Sequence, residues 1–246
     1  MKKEQFIQLT KVSKSFGDKS VLRRLNLSIR EGETLVILGR SGCGKSVALK
    51  ILLGLMRADA GTVTVDGQDI SHLSEKSLFE VRKKFGMLFQ GAALFDSLTV
   101  GENVAFALTE HSTKSKSEIA EIVHDNLRFV ELEGTEELMP SELSGGMKKR
   151  AALARAMAYQ PSIMLYDEPT TGLDPITATT INALIRKTQK EYNVTSIVVT
   201  HELDSGFSVA DRVAVMDQGA ILEIGTIDAI QKSQNSFVQT FIAGPK

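Results

Sequence analysis

The chain has 246 residues, of which 42% are hydrophobic and 24% are charged, as is typical of a globular protein with a substantial core. Its 29 Lys and Arg against 30 Asp and Glu give a net charge of −1, and no long basic stripe supports nucleic-acid binding. No apolar run approaches the roughly 18 residues that a membrane-spanning helix requires, so we expect a soluble chain. The single cysteine, Cys43, excludes an internal disulfide and a cysteine-based metal cluster.

The N-terminal region predicts a small β-rich lobe. Apolar and polar residues alternate in short runs over residues 6–38, and the pairs Gly17-Asp18 and Glu31-Gly32 have turn chemistry. Phe16 lies just before the first turn. Its ring could stack on a base or could belong to the core, and the sequence leaves both readings open.

A glycine-rich octet follows the lobe, between a predicted buried strand at Leu35–Leu38 and a predicted helix at Val47–Leu55. The octet matches the pattern G-x-x-x-x-G-K-[ST] and consists of Gly39, Arg40, Ser41, Gly42, Cys43, Gly44, Lys45 and Ser46. Its glycines allow a tight turn that aims backbone N–H groups at a polyphosphate. Lys45 can reach the terminal phosphates, and Ser46 can offer a hydroxyl to Mg²⁺. The Lys45 charge and the helix N-terminus should favour a reactive Cys43 thiolate, unless this side chain is a buried filler.

The next segments predict more strands and then a helical insertion. They are a hairpin turning at Asp66-Gly67, a helix over residues 77–84, a strand at Phe85–Phe89 that leads to Gln90, and helices at Val100–Leu108, Glu118–Val130 and Met147–Tyr159. Within the insertion, Gly91–Phe95 sets small residues beside Leu94 and Phe95. These two side chains could form an exposed partner site or could pack inside the insertion.

A second candidate anion site lies at the start of the third helix in this insertion. Ser144, Gly145 and Gly146 open that helix and leave N–H groups free of bulky side chains. A plain Ser N-cap would explain Ser144. It would not explain two glycines in the first turn, where each costs about 1 kcal/mol of helix stability.

The α/β pattern then resumes with acidic residues at a strand end. A buried strand at Ile163–Tyr166 leads to Asp167 and Glu168, a position at which open α/β sheets bind ligands. Asp167 would hold Mg²⁺ directly or through water, and Glu168 would orient and deprotonate the attacking water. A helix of about four turns follows Asp174. A further strand at 195–200 ends at His201, which could donate to a γ-phosphate.

A hairpin turning at Gln218-Gly219 and a helix from Thr226 complete the prediction. We predict an α/β fold from all of these elements and motifs, taken in their order along the chain.

In this order, the motifs resemble those of the ATP-binding cassette ATPases over nearly the whole chain. They are Phe16, GRSGCGKS, Gln90, LSGGM at 143–147, IMLYDE at 163–168, GLD at 172–174 and His201. The resemblance implies a P-loop NTPase with an antiparallel N-terminal lobe. It also implies one nucleotide-binding domain, with an ATP-binding core at 1–90 and 160–246 and a helical signature subdomain at about 91–159.

The resemblance also implies roles and a head-to-tail dimer with two MgATP between the subunits. Phe16 would stack on adenine, Gln90 would sense Mg²⁺ and a permease, and Asp174 would contact the second copy. His201 would be the γ-phosphate switch, and the Ser144–Gly146 signature would cap the nucleotide bound by the other subunit's P-loop.

Met147 departs from the Gln that most members of this family have, and with neighbouring segments it resembles the branch that energises MCE-linked phospholipid transporters. The implied partners are a membrane permease, an MCE substrate-binding protein and a small STAS-domain protein, at the cytoplasmic face of a bacterial inner membrane. An importer for amino acids or another polar solute shares the catalytic motifs. Soluble cassette proteins of DNA repair or translation are a third class, against which the single cassette and the lack of a heptad run both argue.

Overall fold

The computed structural model describes residues 3–244, which form two β-sheets and the helices packed on them. The strands within those residues are β1 (Ile7–Phe16), β2 (Lys19–Ile29), β3 (Thr34–Leu38), β4 (Ala60–Val65), β5 (Gln68–Asp69), β6 (Phe85–Leu88), β7 (Ile163–Asp167), β8 (Thr195–Thr200), β9 (Arg212–Asp217) and β10 (Ala220–Gly225). The helices are α1 (Lys45–Leu52), α2 (Glu75–Arg82), α3 (Val100–His111), α4 (Lys116–Phe129), α5 (Gly145–Met157), α6 (Pro175–Tyr192), α7 (Leu203–Val209), α8 (Ile227–Gln231) and α9 (Ser236–Ala243).

The first sheet is an antiparallel lobe of strand order β2-β1-β4-β5, as the alternating N-terminal pattern predicts. The predicted turn at Asp66-Gly67 joins β4 to β5, and both residues have the positive φ that a tight hairpin turn of this type requires (52° and 80°). The hairpin prediction is therefore confirmed.

The second sheet has the order β10-β9-β3-β8-β7-β6. Its strands β9, β3, β8, β7 and β6 run parallel, and β10 adds an antiparallel edge. All five residues of β3 are buried, which agrees with a strand covered on both faces. Together with the lobe, this sheet confirms the predicted α/β class.

Alternate residues of β3 enter two different cores, because successive side chains of a strand point to opposite faces. Val36 and Leu38 join a core built with α3 to α6, whereas Leu35 and Ile37 join one built with α1 and the lobe. The helices of the insertion share the first of these cores with the sheet. The subdomain boundaries at residues 91 and 159 stay a prediction.

The predicted helices begin or end at different residues in the structure, as the helix after the P-loop and the helix after Asp174 illustrate. The helix predicted at Val47–Leu55 begins at Lys45 and ends at Leu52, because Gly44 (φ 111°) turns the chain directly into its first turn and Gly54 (φ 65°) stops it. Arg82 donates to the carbonyls of Leu53 and Gly54 just beyond that end. The helix after Asp174 has 18 residues, which is about five turns rather than four.

The parallel strands bring the predicted motifs to one edge of the sheet. The carboxyl ends of β3, β6, β7 and β8 lead to the P-loop, Gln90, Glu168 and His201, respectively. The strand ends are also hydrogen-bonded to one another, since the Gly39 N–H donates to Thr200 O at 3.3 Å and the Glu168 N–H to Val199 O at 2.9 Å. Within residues 3–244, no helix has both the length and the apolar character needed to cross a bilayer.

Candidate functional site

The glycine-rich octet Gly39–Ser46, here called the P-loop, has the tight backbone turn that its glycines predict. Gly42 and Gly44 have φ values of 77° and 111°, and a Cβ on Gly39 would lie 2.4 Å from the carbonyl oxygen of Met216. Helix α1 begins at Lys45 without a side-chain cap, so its first N–H groups lack partners within the helix and point into the loop. This cradle fits an anionic phosphate.

The Lys45 ammonium lies in the centre of this loop and is almost fully buried. It donates to the carbonyl oxygens of Gly39 (2.7 Å) and Arg40 (3.2 Å). It also lies 3.4 Å from Oε1 of Glu168, which follows β7, two strands away from β3 in the sheet. Lys45 thus connects the phosphate loop to the acidic pair.

Asp167, the first residue of the acidic pair, contacts the last residue of the P-loop. Ser46 Oγ donates to Asp167 Oδ1 at 2.9 Å, which places a hydroxyl and a carboxylate together as oxygen ligands of the kind that Mg²⁺ prefers. Burial raises the pKa of Asp167 above its ordinary value, although the hydrogen bond from Ser46 opposes the shift. The donor set therefore fits the predicted ion.

The Glu168 carboxylate is held from three directions. Besides Lys45, the Thr171 hydroxyl donates to Oε2 at 3.1 Å, and Nδ1 of His201 lies 2.9 Å from the same oxygen. The His201 side chain is about half exposed (46%), whereas that of Glu168 is only 11% exposed. A carboxylate, an imidazole and an ammonium thus meet at the mouth of the loop.

A cavity of about 310 Å³ collects these residues. It is lined by Ser41, Gly42, Gly44, Lys45, Ser46, Val47, Gln90, Glu168 and His201, together with Lys19 and Val21 of β2. Lys19 and Val21 were missed at the sequence level, because nothing in the pattern shows that β2 passes over the P-loop. A larger groove of about 790 Å³ lies between α6 and α7 and shares His201, but it lacks the phosphate cradle.

Phe16 lies at the end of β1, opposite Lys19 in the strand pairing. Its side chain is 48% exposed, so the reading as a core aromatic is wrong. The Lys14 ammonium lies 5.7 Å from the ring centroid. Phe16 does not itself line the cavity, although its pairing partner Lys19 does, and stacking of its exposed ring on a base stays a prediction.

The prediction of a reactive Cys43 is wrong. The side chain is buried, and its Sγ lies against Gly39, where an added Cβ would be only 2.8 Å away. Burial raises the pKa of the thiol above its ordinary value, and the opposing effect of the Lys45 charge is smaller. Cys43 is therefore a small buried side chain, as the alternative interpretation of the sequence predicts.

Arg40 points away from the phosphate cradle. Its guanidinium carbon lies 5.2 Å from the centroid of the Phe237 ring on α9, and Phe237 itself stacks on Phe241. Such cation–π contacts contribute about 0.5–1 kcal/mol at exposed sites. The last helix described is thereby attached to the P-loop.

The second candidate anion site, Ser144–Gly146, does not line this cavity and lies where the N-termini of α5 and α6 approach each other. Ser144 is the N-cap of α5 and accepts from the Met147 N–H at 3.3 Å. A Cβ on Gly146 would lie 2.4 Å from Cγ2 of Thr177, so glycine is needed for α6 to approach. Asp174 caps α6 by accepting from the N–H groups of Ile176 and Thr177 at 3.0 Å.

Lys149, which sequence reasoning missed, connects α5 to the residues that follow β6 and β7. Its ammonium donates to the main-chain carbonyl of Gln90 and, at 3.4 Å, to that of Glu168. Burial lowers its pKa, and the nearby carboxylates of Asp167, Glu168 and Glu202 oppose that shift. The sequence gives no signal for this contact, because a lysine on a helix is usually exposed.

The two apolar residues after Gln90, Leu94 and Phe95, were predicted either to form an exposed partner site or to pack inside the insertion, and they differ in burial. Leu94 is half-buried against the core, whereas Phe95 is 44% exposed and lies 4.7 Å from the ring of Phe106. The buried Asn103 amide accepts from the Phe95 N–H and donates to its carbonyl, which fixes this loop. Phe95 and Phe106 together form an exposed aromatic pair.

Comparison with known proteins gives consistent matches. The family model described as ABC transporter matches residues 22–171. The intermembrane phospholipid transport system ATP-binding protein MlaF of Haemophilus influenzae is 40% identical over 241 residues, which cover 98% of this chain and 91% of that protein. The probable ribonucleotide transport ATP-binding protein mkl of Mycobacterium tuberculosis is 40% identical over 238 residues, 97% of this chain and 66% of that protein.

A solved structure matches at the level of the fold. The dimeric structure of a post-hydrolysis state of the ATP-binding cassette MJ0796 bound to ADP and Pi is similar with a TM-score of 0.83 and 33% sequence identity. The match covers 90% of this chain and 98% of that one.

Proposed function

Because the chain belongs to the ABC transporter family and is an ATP-hydrolysing subunit of that family, we propose that it drives phospholipid transport between the inner and outer membranes of a bacterium. This transport would maintain the lipid asymmetry of the outer membrane. The Haemophilus relative, which this chain spans almost completely, supports the lipid assignment through its name. The LSGGM segment, with Met147 half-buried against the core, supports it from the sequence.

The observation that carries the catalytic part of the proposal is the position of Glu168 between Lys45 (3.4 Å) and His201 (2.9 Å). Lys45 and the first N–H groups of α1 neutralise the phosphates, and Phe16 stacks on the adenine ring. Glu168 orients the attacking water and accepts its proton, while His201 donates to the γ-phosphate. The residues that follow β3, β7 and β8 would thus each have a separate role in hydrolysis.

Ser46 and Asp167, with Gln90 at the adjacent strand end, would hold Mg²⁺. The ion, when bound, neutralises charge on the terminal phosphates.

The active form is a head-to-tail dimer of this chain with two ATP molecules between the subunits. Ser144 and Gly145 are exposed, and they lie outside their own subunit's phosphate cavity, so a second copy must supply the nucleotide that they cap. Asp174 lies beside them and contacts that second copy. The similarity to a dimeric cassette supports this assembly.

The chain works at the cytoplasmic face of the inner membrane, attached through a permease. The exposed pair Phe95 and Phe106 is the docking surface in this proposal, within a helical subdomain at about 91–159. An MCE-domain protein would deliver or accept the lipid, and a STAS-domain protein would complete the complex. Nucleic acid has no part in it.

An importer of polar solutes is the second candidate function. The mycobacterial relative, whose name refers to ribonucleotide transport, has the same 40% identity as the Haemophilus protein, so identity does not separate the two. The catalytic residues do not separate them either, because hydrolysis is common to both.

Isolation of the native complex tests the proposal. The tagged chain is purified from membranes of its source organism, its partners are identified by mass spectrometry, and the complex is reconstituted between donor and acceptor vesicles. We expect a permease and an MCE-domain protein, and ATP-dependent movement of a fluorescent phospholipid that stops in Glu168→Gln. ATPase stimulation by a soluble binding protein for a polar solute, without lipid movement, would establish the importer. The absence of any membrane partner would exclude both.

A further inference from the structure

Lys149 is an unusual residue on α5, because its charged side chain is only 5% exposed. A buried ammonium is costly unless acceptors surround it. Its acceptors are the main-chain carbonyls of Gln90 and Glu168, at the ends of two adjacent parallel strands, β6 and β7. One side chain therefore contacts two residues to which the proposed mechanism assigns roles.

The backbone at Glu168 needs such support. Its φ of 48° lies in the left-handed region, which costs a non-glycine residue about 1–3 kcal/mol. The turned carbonyl accepts from the Thr171 N–H and from Lys149, both at 3.4 Å. This conformation directs the Glu168 carboxylate towards Lys45 and His201.

The neighbouring segment is held by the same helix. Arg155, further along α5, donates to the carbonyls of Ala92 and Ala93, which also have positive φ (62° and 55°). Only Lys149 of these two reaches Glu168. At its other end, α5 begins with the Ser144–Gly146 segment, which does not line the P-loop cavity.

We propose that Lys149 is a positioning residue, whose ammonium fixes the Gln90 and Glu168 backbones to α5 and so aligns the Glu168 carboxylate for hydrolysis. The inference rests on the proposed role of Glu168 as the base. It adds a physical connection within one subunit. In the proposed dimer, α5 caps the nucleotide bound by the second copy, whereas Glu168 acts on the nucleotide bound by its own subunit, and Lys149 joins the two. The hydrogen bonds of the Lys149 ammonium go to Gln90 and Glu168, and Lys149 itself does not line the cavity.

The test compares Lys149→Met with Lys148→Met in the full chain. Methionine keeps the length and burial of the lysine but removes the donor, and Lys148 lies about 100° further round the same helix. Misplacement of a catalytic group by about 1 Å can cost roughly 10²-fold in rate. We therefore expect Lys149→Met to lower kcat by about 10- to 100-fold with the ATP Kd unchanged, and Lys148→Met to match the wild type in both.

A double-mutant cycle separates positioning from a general structural role. If Lys149 acts through Glu168, its removal should cost little in a Glu168→Gln background under single-turnover conditions, because interacting residues are non-additive. Full additivity would overturn the inference, as would wild-type kcat in Lys149→Met. If Lys149→Met does not fold, Lys149→Gln, a shorter neutral donor, enters the same cycle under the same criteria. A wild-type chain without ATPase activity would instead overturn the proposed function.

Discussion

The ammonium of Lys45 lies 3.4 Å from Oε1 of Glu168, although the two residues are separated by more than a hundred positions in the chain. The contact crosses from the end of β3, past β8, to the end of β7. Both side chains are nearly buried, so water screens their interaction weakly. The phosphate-binding cation and the proposed base are thus electrostatically paired across the cavity, and substitutions at the two positions should have different effects.

Glu168→Gln should abolish most hydrolysis while leaving ATP binding intact, because glutamine keeps the shape and removes the proton acceptor. A general base contributes on the order of 10²- to 10⁴-fold in rate, and kcat should fall within that range. Phosphate release and equilibrium ATP binding are the measurements, with Glu121→Gln on the exposed face of α4 as the control. Hydrolysis at the wild-type rate would remove Glu168 from its assigned role.

Lys45→Ala should weaken nucleotide binding or turnover, since the loop would lose the ammonium at its centre. Titration with a fluorescent ATP analogue measures the affinity. Lys50→Ala, which removes an exposed charge from the same helix, should bind normally. Full affinity and full turnover in Lys45→Ala would contradict the phosphate site itself.

Ser144→Arg should leave ATP binding near normal but stop hydrolysis, because it places bulk where the second copy's nucleotide is capped. Mixing is the informative measurement. A dimer of one Lys45→Ala chain and one Ser144→Arg chain keeps one intact composite site, so the mixture should regain ATPase activity that neither parent shows. If the signature acted within its own subunit, mixing would restore nothing.

Phe95→Asp should remove permease binding without loss of basal ATPase activity, because the ring is exposed and the Asn103 contacts to this loop involve only its backbone. Co-purification with the permease is the measurement. Leu222→Asp, at a similarly exposed apolar residue on β10, is the matched control. If the Phe95→Asp chain were insoluble, Phe95 would have a role in packing and would not be a free docking residue.

Cys43 should react slowly with maleimide at neutral pH, because burial both blocks access and raises the pKa of the thiol. With the pKa raised, the thiolate fraction at neutral pH is below that of a free cysteine, so labelling should accelerate as the pH increases. Mass spectrometry measures the rate without ambiguity, since Cys43 is the only cysteine. Denatured protein is the control, and equal rates in native and denatured chains would exclude burial.

The sequence predicted what local pattern and spacing determine. The run LVIL and the glycines around it were sufficient to predict β3 and the P-loop, and the position of the acidic pair at the end of β7 followed from strand topology. Cys43 was misjudged because charge was visible in the sequence and burial was not. Lys149, Lys19 and Val21 were missed because their relevance depends on distant segments that pass close together, and no periodicity encodes such a contact.

The Arg40 contact with Phe237, in the first turn of α9, makes this helix a poor place for truncation or fusion. A deletion that removes Ser236–Ala243 would take away the aromatic partner of a P-loop side chain, and with Val238 it would also remove part of the core beneath the second sheet. An affinity tag fused near that helix would lie close to a residue that contacts the P-loop. Nucleotide-binding constants should therefore be measured on a chain that carries no tag next to α9.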